Sequence, residues 1–325
     1  MSRIEVVGLG ALNIDHMYQV ERLLDDGEAT VKEAQSFPGG SAANTVYGLA
    51  KLGIRTGFVG TVGDDAEGSL LLQDFQRVGV DSSQIREKPG ARTGAVFCLS
   101  DPAGRRSLYV TPGANNLLTN DDLDVAYVNQ AGLIHLSSFV HDRQFRMLLE
   151  LITELDSLVK LSFAPGALYA TRGLTALSPI LARTHILFIN EGEIGQLTDK
   201  DFKAGAETCL EQGCHIVAIT LGRGKRLDRG GKKVTAIAYI RDADSEHLIE
   251  PAGRKRLATT EATGAGDAFA AGFLYGLLKG KALDECGRLG DIVAQFSISK
   301  IGARTGLPAA SQLAQRYLEL YAGSL

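Results

Sequence analysis

Short apolar runs typical of β-strands alternate with amphipathic helical patterns along most of this 325-residue chain. The runs are IEVVGLG, TGFVGTVG, GLIHLSS, LVKLSF, HILFIN and HIVAITLG, and segments such as RQFRMLLELITEL separate them. Because helices can connect such strands as parallel neighbours, the pattern predicts a doubly wound α/β fold with a mainly parallel sheet flanked by helices. Ligands of such sheets bind beyond the carboxyl ends of the strands, so the loops that follow strands are the candidate site.

Two segments interrupt this alternation. Residues 16–38 contain a turn signal and alternating polarity but no crossover helix, and residues 92–112 predict a hairpin with DPAG as its turn. We expect these two insertions to form a small β-sheet lid over the ligand crevice, within a single α/β domain that spans residues 1–325. A pair of ordinary antiparallel edge strands is the alternative. The glycine- and lysine-rich segment 222–233 predicts a mobile loop.

Composition and charge exclude several classes of protein. The chain is 45% hydrophobic and 22% charged, which is ordinary for a globular protein. The formal net charge is −4 and the cationic residues are dispersed, which argues against nucleic-acid and membrane partners. The four cysteines and six histidines show no metal-ligand spacing. Neither a signal peptide nor a membrane-spanning stretch is expected, so we predict a cytoplasmic location.

The segment TGAGDAFAAGF places Asp267 directly after Gly264, Ala265 and Gly266, where an apolar helix is predicted to begin. An aspartate in this position commonly caps the free N–H groups of the helix. The alternative is an anion site, in which these N–H groups and the helix dipole face a phosphate.

Four further clusters of polar residues and glycines follow separate strands. They are Asn13 with Asp15; Gly39 and Gly40 with Asn44; Asn190 with Glu193; and Thr220 with Gly222 and Gly224. The first two could hydrogen-bond the hydroxyl groups of a small polar ligand, although local turn capping is an alternative for Asn13 and Asp15. Glu193 suits indirect coordination of Mg²⁺, which keeps several waters in proteins, although an acidic first helical turn would look the same.

Two common nucleotide-binding motifs are missing or incomplete. The Walker A pattern is absent, and VVGLGALN lacks the third glycine of a dinucleotide fingerprint because Asn13 occupies its place. A tight glycine turn between a strand and the next element is the simpler explanation of that segment.

Taken in order, the motifs GALNID, PGGSAANT, GFVGTVGDDAEG, PGANNLLT, NEGE, TLGRG and TGAGDAFAAGF resemble those of the ribokinase/PfkB family of carbohydrate kinases across nearly the whole chain. The resemblance implies a ribokinase-like fold with a β lid and transfer of the γ-phosphoryl group of ATP to a hydroxyl of a small sugar. Asp267 matches the family's catalytic base, and Gly264, Ala265 and Gly266 match its anion hole.

The same resemblance implies roles for the other clusters. The sugar-binding positions are matched by Asn13, Asp15, Gly39, Gly40 and Asn44. The nucleotide-binding positions are matched by Asn190, Thr220, Gly222 and Gly224, together with Gly264 and Gly266. Glu193 matches a residue that tunes Mg²⁺ binding through water. Glu261 stands at the first acidic position of the family's D-T-x-G-A-G-D pattern, where potassium-activated members bind a monovalent cation.

Several alternatives remain open at the level of sequence. Because GGSAANT also resembles nucleoside-kinase relatives, adenosine, inosine, guanosine or cytidine is an alternative acceptor. A phosphosugar is less favoured, although Arg105 and Arg106 in the hairpin turn could reach a phosphate. An NAD-dependent oxidoreductase and a non-catalytic sugar-binding protein are more distant alternatives. The resemblance also implies a possible homodimer formed through the lid.

Overall fold

The computed structural model describes residues 3–102, 105–253 and 262–321. Within these residues it contains one nine-stranded sheet and one four-stranded sheet. The strands of the large sheet are β1 Val6–Leu9, β4 Thr56–Gly63, β5 Asp81–Lys88, β8 Leu133–Ser137, β9 Lys160–Ala164, β10 Thr184–Asn190, β11 Ile216–Arg229, β12 Lys232–Arg241 and β13 Glu246–Ile249. Those of the small sheet are β2 Asn13–Val20, β3 Val31–Gly39, β6 Gly94–Ser100 and β7 Arg106–Thr111.

Helices connect most strands of the large sheet. They are α1 Ser41–Lys51, α2 Ala66–Val78, α3 Val125–Asn129, α4 Asp142–Glu154, α5 Gly166–Ala170, α6 Leu174–Leu181, α7 Glu191–Thr198, α8 Phe202–Glu211, α9 Ala265–Leu278, α10 Leu283–Ser297 and α11 Ala310–Tyr321. Two short 3₁₀ helices, Gly113–Leu117 and Asn120–Asp122, lie between β7 and α3. No helix in the described ranges combines the length and the hydrophobicity needed to cross a membrane.

The order of the large sheet, β13-β12-β11-β10-β9-β8-β1-β4-β5, confirms the predicted doubly wound topology. All neighbours from β5 to β11 are parallel, and β12 and β13 add an antiparallel extension at the far edge. The chain leaves β1 towards β4 on one side and later returns to β8 on the other. The crevice at such a reversal is where open α/β sheets bind ligands.

Strand β1 shows why helices must cover both faces of the sheet. Its sequence VVGL is buried throughout. Val7 and Leu9 belong to a core shared with α4, α6 and α8, whereas Val6 belongs to a core shared with α1 and α9. Because successive side chains of a strand point to opposite faces, a continuous apolar run requires apolar partners on both sides.

The small sheet is built from the two segments that interrupt the α/β alternation. Its order is β3-β2-β6-β7, and β2 pairs in parallel with β6, with Asn13 opposite Gly94. The segments therefore pair with each other and not with the large sheet, which excludes the edge-strand alternative. The first strand begins at Asn13, slightly before the expected start of the insertion.

The prediction of a mobile loop at residues 222–233 is wrong. Strand β11 continues to Arg229 and pairs in antiparallel register with β12, and Gly230 and Gly231 form the turn at φ 59° and 84°. This hairpin extension is mostly exposed, so a polar and charged sequence is compatible with strand structure there.

Candidate active site

A cavity of about 690 Å³ lies between the carboxyl ends of the large sheet and the small sheet. It is lined by most of the predicted site residues: Asn13, Asp15, Gly40, Asn44, Asn190, Thr220, Gly222, Gly264, Ala265, Gly266 and Asp267. Gly39, Glu193 and Gly224 do not line it. A second cavity of about 700 Å³ around Arg229 and Glu250 contains none of the predicted residues.

Asp267 lies in the first turn of α9, and its carboxylate contacts α1. Oδ1 accepts a hydrogen bond from Ser41 Oγ at 2.7 Å, and Oδ2 accepts one from Asn44 Nδ2 at 2.9 Å. Helix α9 has Gly264 as its N-cap and receives no side-chain cap. The capping interpretation of Asp267 is therefore wrong, because its hydrogen bonds join two helices that are distant in sequence.

The surroundings of Asp267 perturb its ionisation. Burial is the largest cause and raises the pKa of Asp267 to about 6. The hydrogen bonds from Asn44 and Ser41 and the charge of Arg304 lower the pKa, while the Glu193 carboxylate raises it. The side chain retains partial access to the cavity, so it is densely surrounded but still reachable. A carboxyl of this kind is mainly ionised at neutral pH and is a stronger base than an ordinary aspartate.

The start of α9 presents backbone N–H groups to the cavity. Gly264 has φ 74°, and a Cβ at this position would overlap Ala303, so both its conformation and its contact require glycine. The Ala265 N–H donates to Ala262 O at 3.2 Å, and is therefore already bonded within the turn. The helical ladder begins with Ala268 N–H donating to Gly264 O at 2.9 Å. Gly266 and Asp267 thus precede the ladder, at the end of the helix that attracts anions.

The start of α1 forms the opposite wall of the site. Gly40 is the N-cap at φ 98°, and a Cβ there would overlap the carbonyl oxygen of Ala11. Gly39 packs against the Asp15 carboxylate, which a Cβ at this position would displace. The double glycine therefore lets the loop after β1 approach α1, which brings Asp15 and Asn44 to the same cavity.

A buried arginine, which the sequence did not suggest, holds this wall in place. Arg304 is 5% exposed and donates three hydrogen bonds of 2.8 Å. Nε donates to Asn44 Oδ1, Nη1 to Asp74 Oδ2 and Nη2 to Gly39 O. Because Asn44 Oδ1 is occupied in this way, its Nδ2 faces Asp267, and Arg304 thereby fixes the orientation of the Asn44 amide.

A neighbouring asparagine holds the side chain of Asn13, which also lines the cavity. Asn13 is 7% exposed, and its Oδ1 accepts a hydrogen bond from Asn115 Nδ2 at 2.9 Å. Asn115 Oδ1 in turn accepts from the Leu12 N–H at 2.9 Å, so both amide orientations are set by the chain around them. Ser41, Asn115 and Arg304 were not predicted, because only long-range contacts reveal what they do.

Asn190 and Glu193 form a capping box at the start of α7. The Asn190 side chain accepts from Glu193 N–H at 2.9 Å, and Glu193 Oε2 accepts from Asn190 N–H at 3.1 Å. Burial raises the pKa of Glu193. No cluster of three or more histidine, cysteine or acidic side chains suited to a metal occurs in the described part of the chain. Glu261, the predicted monovalent-cation ligand, lies outside the described residues.

The residues after β10 that were predicted to bind the nucleotide separate into two groups, because Thr220 and Gly222 line the cavity and Gly224 does not. Thr220 pairs with Asn190 across β10 and β11, so both stand at the carboxyl edge of the sheet. Gly222 lines the cavity at φ 58°, in the irregular stretch between Thr220 and Lys225 where the pairing with β12 shifts. Gly224 instead packs across the hairpin, where a Cβ would lie 2.8 Å from Thr235 Cγ2.

Comparison with known proteins identifies the family. The model of the pfkB family carbohydrate kinases matches residues 3–310. This chain belongs to that family. A protein of Archaeoglobus fulgidus described as an uncharacterized sugar kinase is 41% identical over 80% of this chain and 98% of its own length. An ATP-dependent ribose-1-phosphate kinase of Halopiger xanaduensis is 27% identical over 96% of this chain and 97% of its own.

Solved structures with the same fold include both sugar and nucleoside kinases. Ribokinase of Thermotoga maritima matches with a TM-score of 0.81 and 23% identity, over 96% of this chain and 99% of its own. The nucleoside kinase of Methanocaldococcus jannaschii matches with a TM-score of 0.80 and 21% identity, over 98% and 100%. At these identities the two structures establish the ribokinase-like fold.

The glycine turn after β1, which first suggested a dinucleotide site, has a packing role in this kinase. A Cβ at Gly8 would overlap Val46 on α1, and one at Gly10 would overlap Ser137 Oγ. These glycines let α1 and β8 pack closely against β1. With the chain placed in a kinase family, the oxidoreductase alternative loses its basis.

Proposed function

We propose that this pfkB-family kinase transfers the γ-phosphoryl group of ATP to a hydroxyl of a small sugar or, as the alternative, of a nucleoside. The observation that carries the proposal is the position of Asp267, which lines the same cavity as the residues proposed to bind the acceptor and those proposed to bind the nucleotide. One end is formed by Asn13, Asp15 and Asn44, which suit hydroxyl groups. The other end is formed by Asn190, Thr220 and Gly222, where we place the nucleotide.

In the proposed reaction Asp267 is the general base. The acceptor oxygen forms a bond to the γ-phosphorus while the bond from that phosphorus to the bridging oxygen of ADP breaks, and the hydroxyl proton passes to Asp267. Ser41 and Asn44 hold the carboxylate at 2.7 and 2.9 Å, which fixes the base before the acceptor binds. The N–H groups at the start of α9, principally those of Gly266 and Asp267, stabilise the charge on the transferred group.

Magnesium is proposed to act with the nucleotide. Bound Mg²⁺ neutralises phosphate charge and favours departure of ADP. The residues fit a water-mediated site, because Asn190 lines the cavity and the capping box holds the Glu193 carboxylate just behind it, where only a water could join it to a bound metal. Mg²⁺ is commonly bound through waters and substrate phosphates with only one or two carboxylates. Glu193 and Asn190 would hold such waters, and a potassium role for Glu261 remains a proposal from sequence.

The small sheet is proposed to be a lid that excludes water from the transferring group, which would otherwise react with it. The edge strand β7 exposes Tyr109 by 62%, on the opposite face of the strand from Leu108, which lines the cavity. An exposed aromatic side chain on an edge strand of the small sheet supports a homodimer formed through the lid, which a molar mass measured by light scattering would test. A cytoplasmic location remains part of the proposal and would be tested by cell fractionation.

The direct test of the function is ADP release in a coupled assay containing ATP, Mg²⁺ and a panel of pentoses, hexoses, nucleosides and pentose phosphates. At least one acceptor should release ADP with the wild-type protein and lose that activity with Asp267→Asn. If no acceptor stimulates ADP release while ATP binding is measurable, the proposed activity is wrong.

A further inference from the structure

A smaller cavity of about 150 Å³ adjoins the acceptor end of the site. Asn13, Ser41 and Val96 line both cavities, so the two spaces are adjacent. Ser41 also donates a hydrogen bond to Asp267 Oδ1 at 2.7 Å. Only this side chain separates the small cavity from Asp267, the proposed general base. The small cavity is named the side pocket below.

The walls of the side pocket are mainly apolar. The apolar side chains are Ala11 after β1, Val96 and Val110 from the small sheet, Pro112 directly after β7, Phe139 and Val140 after β8, and Leu168 on α5. The polar side chains largely have partners already, since Ser137 Oγ accepts from the Ala42 N–H at 3.2 Å and Asn115 holds Asn13. An occupant therefore gains mostly from removal of apolar surface from water.

The charges of the residues that line the two cavities distinguish phosphorylated from unphosphorylated acceptors. Among the described residues, the linings of the main cavity and the side pocket contain no lysine and no arginine. The main cavity instead contains the acidic side chains of Asp15, Glu191 and Asp267. Arg105, one of the two arginines considered for a phosphate, is paired with Asp101 at 2.8 Å. Within these described linings a phosphorylated acceptor would therefore meet carboxylates without a compensating cation, which is unfavourable.

We propose that the acceptor is a nucleoside, with its base in the side pocket and its ribose between Asn13 and Asp267. This inference rests on the proposed kinase function and adds the class of acceptor. The nucleobase and the 5′-hydroxyl are attached at opposite ends of a nucleoside's ribose. If the 5′-hydroxyl lies at Asp267, the nucleobase therefore points away from Asp267. An apolar cavity of about 150 Å³ is sufficient for a benzene-sized ring. A free pentose would leave this apolar volume unfilled.

The first experiment compares kcat/KM for inosine, adenosine, cytidine and guanosine with that for ribose and ribose 1-phosphate, in the presence of ATP and Mg²⁺. At least one nucleoside should exceed both pentose compounds by about tenfold or more, because filling an apolar pocket provides discrimination of that size. A preference for ribose or ribose 1-phosphate would overturn the nucleoside assignment while leaving the kinase function intact. ADP release with a hexose but with none of these six acceptors would likewise overturn only the nucleoside assignment, whereas no ADP release with any member of the full panel would overturn the function itself.

A variant then tests the side pocket itself. Leu168 is 46% exposed at its wall, so Leu168→Trp should fill the pocket without disturbing the core. Its kcat/KM for the preferred nucleoside should fall by about tenfold or more through KM, with the KM for ATP unchanged. The matched control is Leu318→Trp, at a similarly exposed leucine on α11. Equal nucleoside kinetics in both folded variants would show that the base does not occupy the side pocket.

Discussion

Replacement of Arg304 by methionine tests whether this arginine holds the wall of the site that the start of α1 forms. The guanidinium is 5% exposed and bonds Asn44, Asp74 and Gly39, each at 2.8 Å. Methionine retains most of the apolar stem but leaves Asp74, which is 9% exposed, as a buried charge without its cation. Removing one partner of such a pair costs about 3–5 kcal/mol of folding free energy. We expect the free energy of unfolding of Arg304→Met to fall by that amount in urea denaturation.

A double variant separates stability from catalysis. Arg304→Met with Asp74→Leu leaves no unpaired charge, so most of the lost stability should return. The orientation of the Asn44 amide would not return, and loss of its hydrogen bond to Asp267 should cost about 1 kcal/mol, or about fivefold in kcat. Denaturation and the ADP-release assay on the same preparations measure both quantities. A loss below about 1 kcal/mol in the single variant would refute the argument that this ion pair holds the wall.

Two further predictions follow from Asp267 and Gly264. Burial raises the pKa of Asp267 to about 6 in the free enzyme, so kcat/KM for the acceptor should decline as pH falls through about 6. A flat kcat/KM profile between pH 5 and 8 would contradict a titrating base. Because the folded-state pKa is raised from 3.8 to about 6, ionisation of Asp267 increasingly opposes folding between these two pH values and does so fully above about pH 6. Asp267→Asn should therefore raise the free energy of unfolding by about 1–3 kcal/mol at pH 8 but by less at pH 5. Gly264→Ala should destabilise the protein more than Gly280→Ala in thermal denaturation, since both glycines have positive φ but only Gly264 would contact Ala303. Equal losses would show that backbone conformation alone requires the glycine.

The parts of the fold that local pattern controls were predictable. Continuous apolar runs such as VVGL indicated strands buried on both faces, and two interruptions of the α/β alternation indicated the small sheet. The charged hairpin after Thr220 was mispredicted, because exposed strands paired only with each other need no apolar pattern.

The site was predictable where backbone geometry requires a particular residue. Gly40 and Gly264 stand at positive φ beside close contacts, so their glycines mark the starts of α1 and α9. Arg304 could not be predicted, since its partners Asn44 and Asp74 lie more than 200 positions away in sequence. The Ala265 amide was assigned to an anion hole from motif position alone, and the turn that occupies it is visible only in the folded backbone.

The most direct test of the claim that Asp267 is the general base is the turnover of Asp267→Asn. Turnover is measured by ADP release at saturating ATP and acceptor, and ATP binding is measured by calorimetry on the same protein. Asparagine preserves the shape of the side chain but cannot take a proton. The account predicts that kcat falls by about 10²–10⁴-fold while ATP affinity changes little. A folded Asp267→Asn protein with near wild-type kcat would contradict it.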